Sequence, residues 1–241
     1  MPRSSARAGI APGRSHVRRP AASRVERVMR TLDAAVEAFG LPVIEKIAEE
    51  HREEPFRVLI ATMLSARTQD ATTDGAARRL FACARTPATM AALPVSRIER
   101  LIHPVSFYRN KARHVKAACR LLDDRFGGQV PASMEQLLTL PGVGRKTANL
   151  VMIVAHQSAD NICVDTHVHR IANRLGWVET RHPEETEQAL YRAIDRWWWS
   201  RINLYLVTWG QRVCRPIGPR CGECAIRDLC PRRGVPPPAR T

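Results

Sequence analysis

Lysine is scarce in this 241-residue chain. Only Lys46, Lys111, Lys116 and Lys146 occur, against thirty-four arginines. A plain positive charge is supplied by arginine almost everywhere. A retained lysine therefore marks a place where arginine will not serve. Acids are also few, at 23 against 38 basic residues, which leaves a net charge of +15. A surplus this large points to a polyanionic partner, most often nucleic acid. Long apolar runs are missing: the longest, residues 150–155, is far below the roughly 20 residues of a membrane span. A membrane partner is therefore not expected. Alternating polar–apolar runs are scarce as well, which argues for an all-α protein. The 44% hydrophobic content suits one large globular domain or two small ones. No secretory signal is evident, so the seven cysteines do not suggest a disulfide scaffold.

Residues 1–24 hold six arginines, no acid, and prolines at 2, 12 and 20. Such a segment cannot build a core, and we expect a disordered basic arm. The same composition suits an organellar transit peptide. A cytoplasmic, nucleoid-associated protein is the expectation, with organellar import as the alternative.

Helical periodicity begins at residue 25. Val25, Val28, Met29, Leu32, Val36 and Phe39 share one face. Phe56, Leu59, Ile60, Met63 and Leu64 form a second stripe, and Val115, Cys119, Leu122 and Phe126 a third. Ser133, with Gln136 three residues on, predicts a capping box and a helix to Leu140. Pro141-Gly142-Val143-Gly144 stops it, and a second helix is predicted from about Arg145 to Ala155. Two helices joined by a glycine-rich turn make a helix–hairpin–helix. Leu140, Gly142, Val143, Gly144 and Arg145 are candidate DNA contacts. The glycines allow close backbone approach, and the next helix offers free N–H groups to a phosphate. A tight turn with no ligand is the alternative.

Lys146 falls in the first turn of that helix. The helix dipole and Arg145 both disfavour a protonated amine there. A neutral lysine is a nucleophile, which arginine cannot be. The alternative is a surface lysine contacting phosphate. Asp165 follows in Val164-Asp165-Thr166-His167, just ahead of the helical run 167–175. An N-cap is the commoner role at such a site, and it would also hold the carboxylate in place for charge stabilisation or proton transfer.

Cys214, Cys221, Cys224 and Cys230 form a C-x6-C-x2-C-x5-C run. Four thiolates suit zinc or an iron–sulfur cluster. One C-x2-C pair instead of two favours the cluster over a zinc ribbon. Arg215 and Arg220 in the same loop are candidate phosphate contacts. Cys83, Cys119 and Cys163 read as small core residues.

Taken together, LPGVGRKTA with its lysine, VDTH with its aspartate, and the cysteine loop resemble the endonuclease III branch of helix–hairpin–helix DNA glycosylases. The resemblance runs from about residue 25 to 232 and extends to residues 64–70 and 107–112. It implies a six-helix domain at 48–158 and a cluster domain formed by 25–47 and 159–241, with DNA in the cleft between them. It also implies a monomer acting on double-stranded DNA that carries damaged bases or abasic sites. Such a protein flips an oxidised pyrimidine out of the duplex. Lys146 would attack the sugar C1′ and form a Schiff base, Asp165 would assist, and β-elimination would nick the strand. Cys214, Cys221, Cys224 and Cys230 would hold a 4Fe-4S cluster.

Three departures stand out. Arg67 occupies a position where the family commonly has Gln, thought to fill the gap left by the flipped base. Phe107 stands where an apolar wedge, often Leu, is expected; a buried core Phe is the alternative. Gly218 precedes Pro219 where a basic residue is usual. The adenine-mismatch branch fits less well, because its catalytic glutamate would fall at Ala61 and it normally lacks the lysine. A non-catalytic iron–sulfur DNA-binding protein would share the hairpin, the charge and the cysteines, but would not need Lys146 and Asp165 as a pair.

Overall fold

A computed structural model describes residues 23–51 and 54–236. Most of the basic arm lies outside these residues. Its end does not: Ser23 accepts the Glu26 N–H at 3.1 Å, and α1 (Arg24–Val36) starts there. Helix α1 thus includes Arg24, the last residue assigned to the arm, because Ser23 supplies the N-cap that the first turn needs. No strand occurs among the described residues. No helix among them is long and apolar enough to cross a membrane.

Two hydrophobic cores divide the chain. The first is built from α2 (Val43–Glu50), α3 (Pro55–Ser65), α4 (Asp70–Cys83), α5 (Pro87–Ala92), α6 (Val95–Ile102), α7 (Tyr108–Phe126), α8 (Met134–Leu138) and α9 (Arg145–Ala155). Helix α3 runs through its centre and is buried on every side from Val58 to Leu64. Complete burial of Leu59, Ile60 and Leu64 stabilises the fold by about 1.5–3 kcal/mol each. The second core joins α1 to α10 (Thr166–Arg174), α11 (Pro183–Ala193) and α12 (Trp199–Arg212). On α1 the buried residues are Val28, Met29, Leu32 and Val36, the i, i+4, i+8 face of the sequence pattern.

Helix α2 falls on the other side of the expected boundary. Its Val43, Ile44, Ile47 and Ala48 sit in the first core, against α3 and α9. The crossing between the units therefore comes before α2, near Gly40, whose φ of +73° turns the chain. The capping box is also absent. Ser133 precedes α8 but its side chain caps nothing, and the one-turn helix ends at Leu138. A backbone bond, Leu137 N–H to Ser133 O at 2.9 Å, closes that turn instead. Cys119 and Cys163 are buried as expected, whereas Cys83 is exposed at the end of α4.

Candidate active site and cysteine pocket

The hairpin carries its lysine on a helix start with no side-chain cap. Gly144 is the N-cap of α9, and a Cβ there would meet nothing within 4 Å. The first N–H groups of α9 are thus open to an incoming anion. Gly142 has a different reason to be glycine. Its φ is +80°, and a Cβ would lie 2.7 Å from His114 Cβ on α7. Leu140 and Val143 are buried and pin the turn to the first core. Arg145 turns to α11, where its guanidinium donates to the buried Glu187 at 2.5 and 3.2 Å. Its charge is thus already partnered.

Asp165 sits opposite, at the start of α10. Its Oδ1 accepts from the N–H groups of His167 and Val168 at 2.8 and 2.9 Å, so the N-cap is formed. The two helix starts come from different cores. Lys146 and Asp165 line one cleft of about 550 Å³ between them. Arg67, Glu45, Asp70, His167 and Asn203 share its walls. Cys163 lies beneath, with its thiol donating to Lys146 O at 3.4 Å.

Glu45 is a cleft residue that the sequence did not single out. It enters on the first turn of α2, and burial pushes its carboxyl up to about 7. Asp70 and Asp165 add to this, and Lys146 opposes it. The available signal was an acid inside the otherwise apolar run Pro42-Val43-Ile44. Burial also lowers the pKa of His167, which favours its neutral form.

Arg67, on the cleft wall, pairs with Phe107. Both are exposed and both adopt left-handed backbone with φ of 56°. Phe107 is 60% exposed, so it is no core residue. The Arg67 guanidinium lies 5.9 Å from its ring centre. Positive φ in two bulky residues costs on the order of 1 kcal/mol or more each and persists only where surrounding bonds impose it.

The four clustered cysteines line a second, smaller pocket with Ile171, Leu175, Trp209, Val213 and Ile226. All four are unpaired by disulfides and half-buried. Arg174 points its guanidinium at Cys214 Sγ, 3.3 Å away, and donates to Arg215 O and Pro216 O at 2.7 and 3.0 Å. Trp209 Nε1–H is buried at this pocket, and its hydrogen bond to Cys224 works against the effect of burial on that thiol. Burial raises the Cys224 and Cys230 thiols, and the neighbouring cysteines add to it. Such thiolates need a cationic centre to neutralise them, so the donor set fits a thiolate-bound metal group. Among the described residues, no three metal-binding side chains are spaced to hold one ion. Arg215 and Arg220 are exposed on the loop, with Arg220 3.8 Å from Glu223. Between them Gly218 turns with φ of +58°.

An all-α protein with two cores, a helix–hairpin–helix and a lysine–carboxylate cleft belongs to the class of DNA-repair helix–hairpin–helix proteins. Residues 60–196 match the model of the HhH-GPD superfamily base excision DNA repair proteins. The chain is 44% identical to endonuclease III of Thermotoga maritima over 196 residues, covering 81% of this chain and 92% of that one. It is 36% identical to endonuclease III of Escherichia coli over 176 residues, 73% and 83% of the two chains. A trapped covalent endonuclease III–DNA intermediate superposes with a TM-score of 0.70 at 35% identity, covering 79% and 93%. A non-covalent endonuclease III–DNA complex does so at 0.70 and 32%, covering 85% and 95%. The chain belongs to the HhH-GPD superfamily, on its endonuclease III branch, and is a base excision repair protein of the DNA glycosylase class.

Proposed function

We propose that the chain is a bifunctional DNA glycosylase and abasic-site lyase that removes oxidised pyrimidines from double-stranded DNA. The observation that carries this reading is the placement of Lys146 and Asp165 at two helix starts facing one cleft. The Lys146 amine attacks C1′ of an extruded nucleotide. The C1′–N bond breaks, and the base leaves with the electron pair and gains a proton. Nitrogen loses a proton, the sugar ring opens and a Schiff base forms. Loss of a C2′ proton then breaks the C3′–O bond, and water later releases Lys146. Asp165 supplies negative charge where C1′ becomes positive, and its cap bonds hold it there. The open N–H groups of α9 take a phosphate, and Arg67 and Phe107 enter the duplex where the base has left. Ala61, where the adenine-mismatch branch would place its glutamate, is fully buried in the first core.

Cys214, Cys221, Cys224 and Cys230 would hold a 4Fe-4S cluster. Bound there it would cross-link the C-terminal loop, and Arg215 and Arg220 on that loop would contact the DNA backbone. The protein acts as a monomer.

Lys146→Arg tests the reading. The charge is kept, so a phosphate-contacting residue would tolerate the change. A guanidinium cannot form the Schiff base. Borohydride should trap the wild type on damaged duplex and fail to trap the variant, while DNA affinity survives. Near wild-type cleavage by the variant would remove the nucleophile and leave a DNA-binding module.

A further inference from the structure

Lys146 is one of only four lysines, and two of the others each donate to two backbone carbonyls. Lys116 donates to Ala91 O and Leu93 O, both at 2.5 Å, at the end of α5. Lys111 does more. Its Nζ donates to Leu64 O at 2.7 Å, Ala66 O at 2.6 Å and Thr68 Oγ at 3.2 Å, which uses all three ammonium hydrogens. These acceptors bracket Arg67 on both sides. The backbone N–H of the same residue donates to Phe107 O at 3.0 Å and closes the first turn of α7. Thr68 Oγ also accepts the Ser106 N–H at 3.2 Å.

We propose that Lys111 is a positioning residue that straps Arg67 and Phe107 together as one duplex-penetrating pair. Its backbone holds one member of the pair and its side chain holds the loop of the other. The two loops are distant in sequence, and each contains a left-handed residue that local bonding alone would let relax. A compact ammonium reaches three oxygens arranged around a point, whereas a planar guanidinium cannot. Burial and the nearby Lys146 lower the Lys111 pKa to about 8, so near neutral pH the ammonium keeps its three donors. The inference rests on Arg67 and Phe107 entering DNA.

Two variants test it at pH 7, Lys111→Met and Lys111→Arg, with melting curves to confirm folding. Single-turnover base release is measured on a duplex with thymine glycol opposite adenine. Strand cleavage is measured on a single-stranded oligonucleotide with an abasic site, which needs no penetration of a duplex. Both variants should slow the duplex reaction tenfold or more, about what misplacing a positioning group costs. The single-strand reaction should change by only about twofold. The fluorescence rise of 2-aminopurine beside the lesion should also be lost. Equal slowing on both substrates, or an unaltered duplex rate, would overturn the proposal. Thr68→Val removes only the shared hydroxyl and should show the same selectivity more weakly, so the test survives a misfolded Lys111 variant. Phe107→Ala is the control for the underlying reading. If it shows no duplex-selective loss, the penetrating pair itself is wrong; if it does and Lys111→Met does not, the strap is wrong.

Discussion

Asp165 has two tasks, and replacing it in two ways separates them. As an N-cap it accepts two backbone bonds at 2.8 and 2.9 Å. As a charge it lines the same cleft as Lys146. Asp165→Ala loses both. The lost cap costs about 1 kcal/mol, within a range of about 0.5–2, and the lost carboxylate at a helix N-terminus adds about 0.3–1 kcal/mol. For a protein of this size each kcal/mol lowers Tm by about 2–4 °C, so a fall of about 3–8 °C is expected. Asp165→Asn keeps a capping oxygen and loses only the charge, so its Tm should fall by about 1–4 °C. Activity should rank differently. Both variants lack the carboxylate that C1′ needs, and both should lose about 10²–10³-fold in single-turnover base release. Calorimetry and a quenched-flow glycosylase assay on one duplex suffice. Near wild-type turnover by Asp165→Asn would refute the charge role. Activity falling in step with Tm across the two variants would leave the cap as the whole explanation.

Glu45→Gln should change how stability depends on pH. The Glu45 carboxyl is raised to about 7 from 4.5, so its contribution is fully present below pH 4.5 and is lost as pH rises through 7. Relative to the variant, the wild type should lose on the order of 2 kcal/mol between pH 5 and pH 8 in urea titrations; parallel curves would contradict this. Gly142→Ala meets both a φ of +80° and His114 Cβ at 2.7 Å. It should cost about 1–3 kcal/mol and weaken DNA binding in a filter assay, and a variant matching the wild type would show that the hairpin is not so constrained. Protein purified without oxygen should contain about four irons; stoichiometric zinc without iron would overturn the cluster assignment.

Local chemistry was legible in the amino-acid order. The predicted helix from Arg145 to Ala155 has those limits in the structure, because the glycine-rich turn before it and the apolar run within it act over a few residues. Asp165 as a cap follows the same logic, since the bonds it makes lie two and three residues away. The buried stripe of α1 depends only on helical spacing, whereas α3 is buried all round because other helices surround it. The scarcity of lysine drew attention to the four that remain. It could not say that Lys111 and Lys116 gather helix-end carbonyls, because their acceptors lie 23–47 residues away.

Tertiary packing decided the rest. Which core receives α2 depends on the faces offered by α3 and α9, so its apolar residues could not announce it. Phe107 is as apolar as any core residue, and only the turn ahead of α7 carries it to the surface. Glu45 acquires its raised pKa from burial, which no pattern of neighbours in the chain encodes. Hydrogen-bond spacing and helical period act along a few residues and are written in the sequence. Burial, cleft geometry and the meeting of Lys146 with Asp165 arise from contacts between elements far apart in the chain, and only the assembled fold specifies them.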